Sequence, residues 1–282
     1  MTLTLREALQ QAIAQLQHSD SPDIDAQLLL AHVLGKSRTW LYTWPAHPLS
    51  EAQQHQFTEL VKRRAGGEPV AYLTGKRAFW TSTLQVGPAV LIPRPETELL
   101  VELAIARGRA LDGPVVDLGT GSGAIALALA GERPDWQVHA TELSEAAFAV
   151  AASNVGASQS SNVSLFAGSW FEPLPAAIRY SMVVSNPPYI DAADPHLAQG
   201  DLRFEPRSAL VAADAGMADL VLIAEQARGR LRQAGWLLLE HGWQQGGAVR
   251  TLLERLGYDE VETCHDVGGR ERVTLGRWQG EA

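Results

Sequence analysis

From residue 113 onward, short apolar runs alternate with stretches of helical periodicity, and this alternation leaves few folds open. Pro114-Val115-Val116-Asp117-Leu118, residues 163–166, Met182-Val183-Val184-Ser185 and residues 236–239 are too short for core helices and too uniformly apolar for strands with one wet face. They read as strands buried on both faces. Trp136-Gln137-Val138-His139-Ala140 reads as another, and Val261-Glu262-Thr263-Cys264 and Arg272-Val273-Thr274-Leu275 as two closing strands. Between them, residues 124–130, a segment capped by Ser144 and running toward Asn154, residues 219–232 and residues 245–256 carry helical spacing. The pattern predicts an α/β fold: a doubly wound, mostly parallel sheet of seven strands.

The first 75 residues differ. Leu5, Ala8, Leu9, Ala12, Ile13 and Leu16 recur at helical spacing, and Ser21-Pro22 interrupts them. A second helix over 24–34 stops at Gly35, and Ser50 with Gln53 forms a capping box for a third that runs to Gly66-Gly67. Residues 1–75 are therefore expected to form a small all-helical domain, with Trp40, Tyr42 and Trp44 in its core. Residues 76–94 hold three short strand-like runs, Phe79-Trp80, Leu84-Gln85-Val86 and Val90-Leu91-Ile92, around Gly87-Pro88. They predict a β-hairpin linker to a second domain over 95–282. Pro93-Arg94-Pro95-Glu96-Thr97-Glu98 then leads into a helix over 99–106, and Arg94 is held rigidly between two prolines.

Charge and cysteine content narrow the function classes. The chain carries a net charge of −9, from 23 basic and 32 acidic residues. Residues 1–80 balance to +1, which leaves −10 on the remainder. A basic face of the kind that grips a nucleic-acid backbone is not evident. Lys62-Arg63-Arg64 with Lys76-Arg77 is the one basic cluster, and it reads as a solvated helix end. The single Cys264 fits a reducing, cytoplasmic setting. The first residues lack a signal-peptide pattern, and no apolar run is long enough to span a bilayer. The eight histidines and the lone cysteine show no metal-ligand spacing, so no metal site is expected.

Two local patterns carry chemistry. The first strand runs into Asp117-Leu118-Gly119-Thr120-Gly121-Ser122-Gly123 and opens a helix. Glycines there let the backbone turn tightly and approach a ligand. The spacing is G-x-G-x-G, not the dinucleotide G-x-G-x-x-G. The next strand leads to Glu142, where an acid can accept hydrogen bonds from both hydroxyls of a ribose. Strand, glycine loop, helix, strand and acid in this order point to a nucleoside-containing cofactor.

The second pattern is Asn186-Pro187-Pro188-Tyr189, directly after the strand Met182 to Ser185. Two prolines stiffen the backbone and remove two N–H donors. The Asn186 side-chain carbonyl and the Pro187 carbonyl could accept both hydrogens of a planar –NH2, and Tyr189 could stack on its plane. Such a pair would favour positive charge on a nitrogen whose lone pair is delocalised. The –NH2 could belong to an amide or to a nucleobase.

Together, Asp117 to Gly123, Glu142 and Asn186-Pro187-Pro188-Tyr189 resemble the signatures of S-adenosylmethionine-dependent methyltransferases acting on amino nitrogen. Pro93 to Glu98, Ser169-Trp170-Phe171, Arg203-Phe204-Glu205-Pro206-Arg207 and Glu271-Arg272-Val273-Thr274 narrow the resemblance to the HemK/PrmC family, over nearly the whole chain. That family methylates the glutamine of the Gly-Gly-Gln motif in class I peptide chain release factors. The resemblance implies S-adenosyl-L-methionine as cofactor, S-adenosyl-L-homocysteine as product and release factors as partners, with neither nucleic acid nor membrane. It implies that Gly119, Thr120, Gly121, Ser122 and Gly123 wrap the amino-acid part of the cofactor. Glu142 would bind the ribose and Trp170 would lie near the adenine. Asn186 would touch both cofactor and substrate, with Pro187, Pro188 and Tyr189 completing the substrate slot and the helical domain docking the release factor. Glu142 stands where many relatives have Asp. An adenine or cytosine amino methyltransferase remains the alternative.

Overall fold

The computed structural model describes residues 3–280 and divides them into two compact units. One comprises the described chain to Lys76 together with Ala198–Phe204, and the other comprises Arg77–Leu197 and the described chain from Glu205 onward.

The first unit packs five helices, α1 (Leu5–Gln15), α2 (Pro22–Leu34), α3 (Arg38–Thr43), α4 (Glu51–Ala65) and α5 (Val70–Thr74). Their ends follow from sequence. Thr4 and Glu7 close a capping box on α1, Ser50 and Gln53 close one on α4, and Gly35 ends α2 in the left-handed conformation. Leu5, Leu16, Leu29, Leu30, Leu49 and Phe57 form the core. Trp40 packs against that core, but Tyr42 and Trp44 are 64% and 55% exposed. The expectation that all three are core residues therefore fails for two. Helix α3 is only six residues long and buries Leu41, so the flanking aromatics at 42 and 44 fall on its outer side.

The basic run at the end of α4 is paired with acids. Lys62 bonds Glu59, Arg63 bonds Glu68, and Arg64 Nε lies 2.7 Å from Asp25 Oδ2 with both side chains largely buried. Arg64 also reaches the Gly67 and Glu68 carbonyls and Asp201.

A hairpin, β1 (Lys76–Phe79) and β2 (Ser82–Gln85), begins at the boundary residue Lys76 and precedes the main sheet of the second unit. Val90-Leu91-Ile92 is not a third strand. Val90 and Ile92 are buried in a non-repetitive segment, and the Ile92 N–H donates to Glu205 Oε2. Helix α6 (Glu98–Arg107) follows a 3-10 turn over Pro95–Thr97. The sheet then uses β3 (Val115–Leu118), β4 (Val138–Glu142), β5 (Val163–Ala167), β6 (Tyr180–Ser185), a small side pair β7 (Ile190–Asp191) and β8 (Val211–Ala212), and β9 (Leu231–Glu240), β10 (Tyr258–His265) and β11 (Glu271–Trp278). Its seven strands run in the order β10-β11-β9-β6-β3-β4-β5, with only β11 antiparallel to its neighbours. This is the expected doubly wound, seven-stranded, mostly parallel sheet.

Burial explains the uniform apolar runs. Every residue of β3 and β6 is buried. Val115, Met182, Val184 and Leu238 pack to one side with α7 (Ala124–Glu132) and α6, whereas Val116, Leu118, Val183, Leu237 and Leu239 pack to the other with the helices Ala218–Arg228 and Gly246–Arg255. Each helix thus covers one half of an alternating pattern. Helix α7 is buried all round, from Ala124 to Ala130. The central strand β3 pairs in parallel with β4 on one side and β6 on the other. The chain therefore reverses its direction of travel across the sheet at β3, and a crevice opens above its carboxyl end.

The Arg64–Asp25 pair is expected to matter more than its neighbours. Arg64→Met should destabilise the helical unit by about 3–5 kcal/mol, because it strands a buried carboxylate. Lys62→Ala should cost less than about 1 kcal/mol. Urea unfolding of the two variants checks the contrast.

Candidate active site

A cleft of about 670 Å³ lies above the carboxyl ends of β3, β4 and β6. Its floor is Gly119 to Ser122 with Ala124 and Ile125, and Glu142, Leu143 and Ser144 form one wall. Asn186 and Pro188 form another, Gly168 to Trp170 a third, and Val90, Leu91, Pro93 and Thr97 the roof.

The floor needs its glycines. Gly119, Gly121 and Gly123 have φ of 71°, 57° and 84°, a region that side chains strongly disfavour. A Cβ on Gly119 would stand 3.0 Å from the Trp170 ring. The backbone is then pinned from below by Asp117. Its Oδ2 accepts from Thr120 Oγ1 at 2.6 Å and from the Ala126 N–H at 3.2 Å, while Oδ1 has no partner. Full burial pushes the Asp117 pKa up to about 7, the two hydrogen bonds oppose the rise, and the nearby Glu142 charge adds to it.

Glu142 is held by backbone donors. Its Oε2 accepts from the Gly121 N–H at 2.9 Å and its Oε1 from the Ser144 N–H at 2.8 Å. Both oxygens keep lone pairs for a ligand. Ser144 in turn caps the helix α8 (Glu145–Ser158), with its side chain accepting from the Ala147 N–H. From α8, buried Asn154 donates to the Ser122 and Gln85 carbonyls at 2.8 and 2.9 Å and accepts from the Gln85 N–H at 2.7 Å. Trp170 has a φ of 44°, unusual for a bulky residue, and this turn lays its ring beside Gly119.

Across the cleft, the Asn186 amide donates through Nδ2 to Thr97 Oγ1 at 3.2 Å. Its carbonyl oxygen lies on the opposite side of the amide group. The peptide after it is clamped as well. Gln245 Nε2 donates to the Tyr189 carbonyl at 3.0 Å, and its Oε1 accepts from the Gly242 N–H at 2.8 Å. Gly216, at φ 84°, lies so close that a Cβ there would meet the Tyr189 carbonyl oxygen at 2.1 Å. Arg94 forms an ion pair with fully buried Glu205, tying the two segments above the cleft.

Of the residues singled out from sequence, Gly119, Thr120, Gly121, Ser122, Glu142, Trp170, Asn186 and Pro188 line this one cleft. Gly123, Pro187 and Tyr189 do not. Gly123 closes the turn with an N–H to the Thr120 carbonyl, and Pro187 is buried. Tyr189 turns its hydroxyl inward, 3.4 Å from Glu240 Oε1, so its ring is part of the support under the loop. The linker's contribution to the roof, and Leu143, Ser144, Asp219 and Leu222 at the rim, carried no sequence signal beyond their neighbourhood to the motifs. Among the described residues no group of three or more His, Cys, Asp or Glu could hold a metal ion. Nor, among the described residues, is any helix long and apolar enough to cross a membrane.

Comparison with known proteins gives a consistent picture. Residues 7–75 match the family model of the PrmC N-terminal domain, and residues 95–202 match that of the methyltransferase small domain. The release factor glutamine methyltransferase of Salmonella typhimurium is 54% identical over 96% of this chain and 97% of its own length. The Escherichia coli protein of the same name is 53% identical over the same shares. That of Vibrio cholerae is 49% identical over 100% of this chain and 99% of its own. Among solved structures, a methyltransferase from Pyrococcus furiosus superposes with a TM-score of 0.54 at 20% identity, covering 79% of this chain and all of that one. A 16S rRNA methyltransferase of T. thermophilus, solved with AdoMet and guanosine, has a TM-score of 0.53 at 20% identity, covering 72% of this chain and 49% of its own. These two share the fold.

The buried acid under the glycine loop sets a pH dependence. Asp117 titrates near 7 in the folded protein and near 3.8 when unfolded, so the folded state holds the extra proton between those values. Stability therefore falls as pH rises through that window. Asp117→Asn removes this contribution, and urea unfolding should show the variant gaining on the native protein from pH 4 to about pH 7 and holding level above it.

Proposed function

The chain belongs to the family of release factor glutamine methyltransferases, and from that premise we propose that it transfers the methyl group of S-adenosyl-L-methionine to the side-chain amide nitrogen of the glutamine in the Gly-Gly-Gln motif of class I release factors. The observation that carries this reading is the Asn186 amide. It stands across one cleft from Glu142 and the glycine loop, with its –NH2 side occupied by Thr97 and its carbonyl side left for a substrate donor.

The cleft residues suit the cofactor. Three left-handed glycines form a cradle that side chains would fill, Glu142 offers lone pairs to a ribose diol, and Trp170 offers an aromatic face. Bound there, S-adenosylmethionine supplies an electrophilic methyl group on a sulfonium and leaves as S-adenosylhomocysteine. The protein's part is placement. Asn186 Oδ1 accepts a hydrogen of the substrate amide, holds its nitrogen in line and favours the positive charge that builds there, while buried Pro187 stiffens the backbone that carries it. No residue needs to remove a proton beforehand, because the amide sheds it after the new N–C bond forms. Pro188 walls the slot, and Tyr189 supports it from below. The helical part over residues 1–75, with Ile24, Leu28, Tyr42 and Trp44 exposed, provides docking surface for the release factor in the cytoplasm.

Two measurements test this. Mass spectrometry of a release factor incubated with enzyme and S-adenosylmethionine should show one added methyl group, absent when the motif glutamine is replaced by alanine. Labelled methyl on DNA, with none on the intact release factor, would overturn the reading in favour of a nucleobase substrate. Glu142→Ala should weaken cofactor binding by about 1–3 kcal/mol, the cost of losing a charge-assisted partner. Calorimetry giving unchanged affinity would remove Glu142 from the site.

A further inference from the structure

We propose that Gln245 is a positioning residue for methyl transfer: its side-chain amide, acting as donor and acceptor at once, pins the peptide that ends the loop carrying Asn186. This rests on the amide-methylation reading given above.

The loop after β6 has few means of holding itself. Pro187 and Pro188 bring no N–H groups, and their rings fix φ but leave ψ to be set from outside. The start of the loop is secure. Ser185 is paired in the sheet with both β3 and β9, and its Oγ donates to the Leu118 carbonyl at 2.8 Å. The end of the loop is the peptide between Tyr189 and Ile190. Its N–H donates to the Leu210 carbonyl at 2.9 Å, and its carbonyl accepts from Gln245 Nε2 at 3.0 Å. A peptide unit is planar, so one bond on each side fixes its orientation. Gln245 supplies one of the two.

The seat of Gln245 admits its amide one way round. Oε1 accepts from the Gly242 N–H at 2.8 Å, a group that can only donate. Nε2 faces the Tyr189 carbonyl, a group that can only accept, and the Ala215 carbonyl stands at 3.4 Å from the same nitrogen, a long contact. Gly242 is itself held. Its carbonyl accepts from the Gln245 N–H at 2.8 Å and from His241 Nδ1 at 2.9 Å, and His241 Nε2 meets Thr274 Oγ1 at 2.7 Å. On the other side Asp214, Ala215 and Gly216 take left-handed φ of 53°, 54° and 84°, a region the first two disfavour. This turn closes on the amide, and a Cβ on Gly216 would stand 2.8 Å from Gln245 Nε2. A carboxylate cannot fill the seat. One oxygen would meet the Gly242 N–H, but the other would oppose the Tyr189 and Ala215 carbonyls. Only a protonated carboxyl offers one acceptor and one donor. An apolar side chain leaves the Tyr189 carbonyl without its donor and its peptide free to turn. Two residues with locked φ then carry that motion back to Asn186, where a small displacement of Oδ1 lowers the rate.

The test uses the full-length enzyme, S-adenosylmethionine and an intact release factor. Gln245→Ala and Gln245→Leu should each lower kcat by about thirtyfold, with KM for the release factor changed by less than about threefold. Cofactor affinity by calorimetry should be unchanged in both. Gln245→Glu then separates a pinning amide from a space filler. The titratable and charged groups around the seat are Glu240 and His241 at the end of β9, Glu271 and Arg272 on β11, Arg250 on the helix Gly246–Arg255, Asp214 on the turn, and Tyr189. All of them are common to every variant, so the readout is the kcat of the variant divided by that of the native enzyme at the same pH. For Gln245→Glu this ratio should be about a hundredfold down at about pH 8.5 and recover to within about threefold at about pH 5.5, as the introduced carboxyl gains a proton and donates it to the Tyr189 carbonyl. For Gln245→Ala and Gln245→Leu the ratio should not change with pH. Native kcat in Gln245→Ala and Gln245→Leu would overturn the proposal. So would a Gln245→Glu deficit that is the same at every pH. Should Gln245→Ala fail to fold, Gln245→Glu against Gln245→Leu carries the same contrast. If the wild-type enzyme leaves the release factor unmethylated, the amide reading itself fails. If it methylates normally and the variants do too, only the role of Gln245 is wrong.

Discussion

The parallel pairing of β4, β3, β6 and β9 is the constraint on which the rest depends. It brings four strand ends to one edge of the sheet, and at each the chain places a polar group: Glu142 on β4, Asp117 just inside β3, Asn186 just beyond β6 and Glu240 on β9. Backbone register, a property of main-chain hydrogen bonds, sets the spacing between these side chains. A slip of one residue would turn each of them to the other face and carry apolar neighbours into the cleft. The complete burial of β3 and β6 makes such a slip costly, because both faces of each strand already fill separate cores. The apolar sheet interior and the polar cleft are thus one design: the first locates the second.

Local chemistry supplies what register cannot. Three glycines in the left-handed region let the main chain pass close beneath a ligand, and buried Asp117 keeps that turn from relaxing. Two prolines, the Gln245 clamp and Gly216 do the same for the loop after β6. The first turn is held by an acid two positions before it, and the second by its own prolines together with Gln245 and Gly216 from farther along the chain.

That division explains what could be read from the sequence. The alternating apolar runs gave the sheet, and the compact strings Asp117 to Gly123 and Asn186 to Tyr189 gave its two working loops, because in each the residues that act together are also neighbours in sequence. Glu240 left no such trace. It lies 54 positions after Asn186 and comes level with it only through sheet register. Val90 to Ile92 read as a strand because buried apolar residues look alike whether paired in a sheet or packed under a roof. Tyr42 and Trp44 read as core because aromatic content says nothing of which way a six-residue helix turns. Tyr189 was expected to offer its face to a substrate, but the pull of a buried acid on its hydroxyl is invisible without coordinates.

The clasp at Asn154 has a consequence for traffic. Three hydrogen bonds from one buried side chain join the Gln85 backbone of the hairpin to Ser122 of the glycine loop. The hairpin and the loop therefore behave as a single plate. Widening the cleft from that edge means either swinging the whole plate or leaving several polar groups dry and unpaired, at about 1–3 kcal/mol for each. The wall at Glu142 is tied to the same loop through the Gly121 N–H, and at its edge Leu143 is 73% exposed. A molecule entering or leaving is therefore not expected to part the hairpin from the glycine loop.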